Sequence, residues 1–139
     1  MVMKYVAQEH PLGCFLAATA MVLDMTYEQV SEKVPLQDPK ALQKTGINIL
    51  GLVALEEVEK LARSCNRAFA YPVPPFVCKA GFRYIGVLPI RKQETHAVAI
   101  DESGVVFDPD SNALSGKNWA ELVFSGGMLE FQPSHSSGI

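Results

Sequence analysis

The feature that most constrains the fold is an almost entirely apolar run from Cys14 to Leu23, interrupted only by Thr19. Apolar side chains cover nearly every face of a helix drawn through this run and continue to Met25. We therefore predict a helix over residues 14–25 that is buried on all sides. The run is too short to span a bilayer, so we expect it in the core of a folded domain.

Two further helices are expected before the pattern changes. Thr26 and Gln29 have the spacing of a capping box, which predicts a short helix that continues to about Val34 and stops before the next proline. A longer amphipathic helix is predicted over Ile49–Ser64, with Asn48 as its N-cap.

From residue 67 onward the sequence is typical of short strands. We predict strands at Ala68–Tyr71, Arg83–Ile90, Glu94–Asp101, Val105–Asp108 and Met128–Gln132, with a short helix at Trp119–Phe124 capped by Asn118. Helices followed by an antiparallel sheet indicate an α+β fold. We expect residues 1–132 to form one domain and residues 133–139 to be a disordered tail.

Composition excludes several classes of protein. The 139 residues are 48% hydrophobic and 19% charged, which predicts a folded chain of one domain. The net charge of −3 argues against a nucleic-acid binder. The three cysteines form no CxxC pair, which is typical of a reducing compartment. The N-terminus lacks the pattern of a signal peptide, so we expect a cytoplasmic protein with no membrane span.

The first candidate for chemistry is Cys14, at the start of the buried helix. A cysteine there lies beside unpaired backbone N–H groups at the positive end of the helix dipole, which favours the reactive thiolate. Gln8 lies six residues upstream, across a Pro-Gly loop that can fold its amide back toward the sulfur. With the backbone N–H of Cys14, it could donate to an oxyanion.

The second candidate is a pair, His96 and Asp108, on consecutive predicted strands. The intervening Glu102–Gly104 fits a three-residue hairpin loop with glycine in the left-handed region. That register pairs Ile100 with Val106. It places His96 and Asp108 on one face as diagonal neighbours, roughly 7–8 Å apart at the backbone, so their side chains can meet.

These residues resemble papain-like cysteine peptidases, and most closely the small peptidases that process double-glycine leader peptides of bacteriocins. The matching segments are Gln8–Val22, Leu88–Ile90, Thr95–Asp101 and Val106–Pro109. The resemblance implies a papain-like fold, with the cysteine-bearing buried helix packed on the sheet. It implies Cys14 as nucleophile, His96 as base and Asp108 as the residue that orients the histidine, with Gln8 as oxyanion-hole donor.

The implied function is cleavage of a peptide bond in a peptide or protein substrate through a thioester, with no cofactor or metal. Gly13 and Phe15 flank the cysteine, whereas leader peptidases place an acidic residue before it and a glycine after it. The aromatic residue after the cysteine resembles general papain-type enzymes instead. The mechanism is therefore better supported than a leader-peptide substrate. Asp110 is the second choice for the third catalytic residue.

Several alternatives share the same residues. Cys-His-Asp sites also catalyse amide hydrolysis on side chains (deamidation) and acyl transfer. A binding module with a papain-like fold and an idle site is a further alternative. A zinc site formed by Cys14, His96 and Asp108 would be an unusual ligand set and would leave Gln8 without a role.

Overall fold

The computed structural model of the chain describes residues 2–9, 14–33, 52–91, 94–110, 114–125 and 127–133. Within these ranges it contains three α-helices and a five-stranded antiparallel sheet, as expected for an α+β fold. The helices are α1 (Cys14–Leu23), α2 (Tyr27–Lys33) and α3 (Leu52–Ser64). The strands are β1 (Phe69–Ala70), β2 (Arg83–Arg91), β3 (Glu94–Ile100), β4 (Val106–Phe107) and β5 (Gly127–Phe131).

Helix α1 is buried along its whole length, as its sequence predicts. All ten of its residues are buried, and the helix contacts β2 and β3 as well as α2 and α3. Its one polar side chain is satisfied locally, because the hydroxyl of Thr19 donates to the carbonyl oxygen of Phe15 at 2.8 Å. None of the helices within the described ranges combines the length and the apolar content that a membrane crossing needs.

Helix α1 ends two residues earlier than its apolar pattern suggests, because Asp24 adopts a left-handed backbone with φ of 57°. The backbone N–H of Met25 then donates to the carbonyl of Ala20 at 2.9 Å, which is the closing bond of a Schellman motif. Helix α3 ends in the same way at Asn66, with φ of 58°. Asp and Asn tolerate this conformation better than most residues other than glycine.

A buried arginine fastens the end of α1 to the sheet. Arg83, on β2, is 1% exposed. Its Nη1 donates to the carbonyl oxygens of Met21 and Val22 at 3.3 and 3.2 Å and to Oδ1 of Asp24 at 2.8 Å, while its Nε donates to Glu102. Burial lowers the pKa of Arg83, but the bonds to the two carboxylates outweigh burial and raise the pKa overall. Arg83 is thus a fixed cation that holds α1 in place.

The capping box predicted at α2 is present, and the predicted N-cap Asn118 belongs to a second capping box. At α2, the N–H of Thr26 donates to the Gln29 side chain at 2.9 Å and the N–H of Gln29 donates to the Thr26 hydroxyl at 3.0 Å. Asn118 and Glu121 form the second box, but the helix after it is a single 3-10 turn over Trp119–Glu121. It is shorter than predicted because the backbone of the next residue is already extended.

The remaining helical predictions agree in part with the structure. Val58 and Leu61 of α3 are buried, in agreement with the predicted amphipathic helix. The predicted beginning of this helix at Asn48 and Ile49, the predicted end of α2 at Val34 and the predicted tail beyond Pro133 lie outside the described residues.

The sheet separates two apolar clusters. Its strand order is β1-β5-β2-β3-β4, and every pair is antiparallel. Side chains alternate between the faces. The face toward α1 carries Ile85, Ala97, Ala99, Leu129 and Phe131, and the opposite face carries Tyr84, Leu88, Val98, Ile100, Val106 and Met128.

The hairpin between β3 and β4 has the predicted loop and register. Ile100 pairs with Val106, and Gly104 has φ of 82°, in the left-handed region. The carboxylate of Asp101 accepts the N–H groups of Ser103 and Val105, both at 2.9 Å. The loop length that the hypothesis for the site needed is therefore confirmed, although β4 itself ends at residue 107 rather than 108.

Candidate active site

The site begins at the first turn of α1. Cys14 is the first residue of the helix and is 4% exposed. The first backbone N–H groups of a helix have no partner inside it and carry a partial positive charge, so they can receive an anion. His10, which precedes the helix, lies outside the described residues, as does His135.

The second component is His96, near the start of β3. It is paired with Leu88 of β2 and is 5% exposed. Its Nε2 lies 2.6 Å from Oδ1 of Asp108. An ionised carboxylate can only accept, so Nε2 carries the proton and donates it. The diagonal contact that the hairpin register predicts is therefore formed.

Cys14 and Asp108 both act on the His96 ring. Burial lowers the pKa of His96, but hydrogen bonds and charges from Cys14 and Asp108 outweigh burial and raise the pKa from 6.5 to about 9. A histidine with a raised pKa remains protonated at neutral pH when it faces an anion. The raised pKa of the ring therefore depends on both the cysteine of α1 and the carboxylate beyond β4.

Asp108 is held by backbone groups on both of its oxygens. Oδ1 also accepts the N–H of Asp110 at 2.9 Å, and Oδ2 accepts the N–H of Leu114 at 3.2 Å. The N–H of Asp108 donates to the hydroxyl of Ser115 at 2.7 Å. This bond takes the place of a strand partner and explains why β4 ends one residue before Asp108.

The two candidate acids differ in their contact with His96. Asp108 is 3% exposed and contacts His96, whereas the side chain of Asp110 is exposed and its contribution comes from its backbone N–H. Asp108 is therefore the carboxylate positioned to orient the ring.

Gln8 lies beside the same segment. Its backbone N–H donates to the carbonyl oxygen of Pro109 at 3.0 Å, and its side-chain Oε1 is buried. The N-terminal segment is thus tied to the residue that follows Asp108. The four residues singled out in the sequence accordingly belong to one neighbourhood, with Gln8 connected through its main chain.

Two tyrosines near the site were not anticipated from the sequence. Burial raises the pKa of Tyr27, and the charges of Glu9 and Cys14 raise it further. Burial likewise raises the pKa of Tyr5, with added contributions from Asp108 and Asp110. Single tyrosines carry no sequence signal for this placement, because it depends on how the N-terminal segment and α2 pack.

The other two cysteines lie in different surroundings. Burial, followed by the charge of Glu130, raises the pKa of Cys78 to about 12, so its thiol is protonated at neutral pH. Cys65 is half-buried just after α3, with its Sγ 4.0 Å from the carbonyl oxygen of Leu23. In the described part of the chain, no group of three or more His, Cys, Asp or Glu side chains is arranged to hold a metal ion.

The contact between His96 and Asp108 predicts a pH effect. Folding raises the pKa of His96 above 6.5, so the stability gained from the protonated ring is complete below pH 6.5 and is lost as the pH rises through about 9. Replacement of Asp108 by asparagine should lower the titration midpoint of His96 by about one unit or more, because an opposite charge is removed. NMR titration of the ring measures this midpoint.

The matched control is Asp110→Asn, which neutralises an exposed carboxylate two residues away and keeps the backbone N–H. Its effect on the His96 midpoint should be small. A larger shift from Asp110→Asn than from Asp108→Asn would contradict the assignment of Asp108.

Comparisons with known proteins provide no independent identification: no protein-family model matches the chain, and no curated protein is significantly similar to it.

Proposed function

We propose that the chain is a cysteine hydrolase with a papain-like fold, similar to the peptidases that process double-glycine leaders, and that it cleaves peptide bonds. The observation that carries the proposal is the 2.6 Å contact between Nε2 of His96 and Oδ1 of Asp108, on a ring whose pKa Cys14 also raises. A buried cysteine, histidine and carboxylate in this order match the requirements of nucleophilic catalysis.

The proposed mechanism follows from the bond between Nε2 of His96 and Asp108, which leaves Nδ1 for the cysteine. Because Nε2 donates to Asp108, Nδ1 is the nitrogen that takes the proton from the Cys14 thiol. The sulfur attacks the substrate carbonyl carbon, and the ring passes the proton to the departing amine as the C–N bond breaks. Water then attacks the thioester; its proton returns through the ring to the sulfur, and the acid product leaves.

Two donors would stabilise the oxyanion in this scheme. One is the backbone N–H of Cys14, at the helix N-terminus, and the other is the side-chain amide of Gln8. The bond from the N–H of Gln8 to Pro109 supports this role, because it ties the glutamine to the chain beside Asp108. Donors fixed before the reaction stabilise the transition state without reorganisation.

Site-resolved alkylation by iodoacetamide tests the proposal without a known substrate. Cys14 should react faster than Cys65 and Cys78 at pH 6 to 7, because Cys14 is the cysteine that interacts with the protonated His96 and the thiolate is the reacting form. Mass spectrometry of peptides gives the three rates separately. Equal rates at the three cysteines would contradict an activated thiolate, and loss of activity with a chelator alone would support a zinc site.

The reaction type is resolved by its products. Incubation with a library of peptides should release new amino termini if the enzyme is a peptidase. Release of ammonia from glutamine or asparagine peptides would indicate a deamidase. Transfer to added hydroxylamine without hydrolysis would indicate an acyltransferase. The absence of all three, with ordinary Cys14 reactivity, would support an idle binding module.

Replacement of Gln8 by alanine should reduce the turnover number by about ten- to a thousandfold, because one oxyanion donor is lost. Alkylation of Cys14 should still proceed at a similar rate, since the thiolate and the histidine remain. Kinetics and labelling on the same sample separate these effects. Loss of labelling together with turnover would show instead that Gln8 is needed to form the ion pair.

A further inference from the structure

The turn that contains Ser115 makes two contacts with Asp108. The Ser115 hydroxyl accepts the backbone N–H of Asp108 at 2.7 Å, and the backbone N–H of Leu114 donates to Oδ2 of the same residue at 3.2 Å. Asp108 is buried, so leaving its N–H or its carboxylate without a hydrogen-bond partner would cost stability. The turn therefore restrains both the main chain and the carboxylate of this residue.

The backbone at Asp108 and Pro109 also holds the N-terminal segment that carries Gln8. The carbonyl of Pro109, the residue after Asp108, accepts the N–H of Gln8 at 3.0 Å. One stretch of backbone thus positions the acid that contacts His96 and anchors the glutamine. A restraint on this backbone acts on both.

We propose that Ser115 is a positioning residue of the site: its hydroxyl fixes the backbone at Asp108, keeps the carboxylate directed at His96 and, through Pro109, holds Gln8. The proposal rests on the cysteine hydrolase function proposed above. Without the hydroxyl, the buried N–H of Asp108 has to turn toward another acceptor, and the carboxylate moves with it. The His96 ring then loses part of the interaction that keeps it protonated.

The test compares alkylation of Cys14 by iodoacetamide at pH 6 and at pH 10 in the full chain. The rate at pH 6 divided by the rate at pH 10 measures how much of the thiol reacts as thiolate at pH 6, where His96 is protonated. Ser115→Ala should lower this ratio by about tenfold, because the thiolate is the reacting form, and should leave the rate at pH 10 unchanged. Ser115→Thr, which keeps the hydroxyl, should restore the ratio.

The matched control is Ser103→Ala, which removes a hydroxyl from an exposed position in the hairpin loop and should leave the ratio unchanged. Circular dichroism verifies that each variant is folded. If Ser115→Ala is unfolded, Ser115→Thr is compared with Ser115→Val, which has nearly the same shape but no hydroxyl.

The failures of the two proposals give different results. An unaltered ratio in folded Ser115→Ala or Ser115→Val, beside a high ratio in the unaltered chain, overturns the role of Ser115 alone. If Cys14 of the unaltered chain has the low ratio of an ordinary thiol, the proposed function is overturned, and the role of Ser115 with it. A change in thermal stability with no change in the ratio assigns Ser115 to the fold only, and so also overturns the positioning role.

Discussion

Replacement of Cys14 by alanine is expected to abolish turnover of any peptide that the unaltered chain cleaves. The variant lacks the sulfur that forms the thioester, so we expect a loss of at least about a thousandfold in the turnover number. The fold should persist, because a small buried side chain is replaced by a slightly smaller one, at a cost of about 1 kcal/mol. Steady-state kinetics and thermal unfolding of the same preparation measure both effects.

The matched control for this experiment is Cys65→Ala, which removes a thiol outside the site and should leave turnover unchanged. The reaction mixture of the Cys14 variant should also contain no acyl-enzyme by mass spectrometry. Turnover by the Cys14→Ala variant at the rate of the unaltered chain would refute the proposed mechanism, whatever the substrate.

Replacement of Arg83 by methionine should lower the free energy of unfolding by about 3 kcal/mol, because a buried cation is removed from charged and polar partners that stay in place. The carbonyls of Met21 and Val22 at the end of α1 lose a donor, and the carboxylates of Asp24 and Glu102 lose their shared cation. Urea denaturation measures the change, with an unaltered slope against denaturant as the sign that only stability has changed.

Arg63→Met is the matched control. Its ion pair with Glu59 has an Nη2–Oε1 distance of 2.7 Å, shorter than the 2.8 Å from Arg83 to Asp24, but the Arg63 side chain is 75% exposed against 1% for Arg83. Exposed pairs contribute about 0.5 kcal/mol or less. Equal losses from the two substitutions would contradict the assignment of the larger effect to burial.

The parts of the fold that the sequence predicts are those that depend on neighbouring residues. The capping box of Thr26 and Gln29 has a fixed spacing, and its two bonds form within one turn. The glycine of a three-residue hairpin loop sets the register of β3 and β4, and the register in turn brings His96 to Asp108. Local chemistry thus predicted a contact between residues twelve positions apart.

The parts that the sequence did not predict depend on contacts between distant segments or on choices among permissive residues. Helix α1 stops before Asp24 because this residue has a left-handed backbone. A glycine at this position would have indicated the end of the helix in the sequence, whereas an aspartate does not. Ser115 follows Asp110, Ser111 and Asn112, whose side chains also carry oxygen acceptors for a backbone N–H, so the sequence does not single it out. The anchoring of Gln8 on Pro109 joins the N-terminal segment to the residue that follows Asp108, far along the chain, and has no local pattern.

The complete burial of α1 limits how a protein of this design could change its preference for substrates. None of its ten residues is exposed, so a substitution at any of the nine residues after Cys14 alters packing before it alters any surface that a substrate would meet. Evolution or a protein engineer would have to tune selectivity in the flanking segments, where Tyr5, Glu9 and Asp110 reach solvent. The helix would then vary mainly by swaps that conserve volume, so under the proposed function the sulfur of Cys14 and the recognition of substrate could diverge separately.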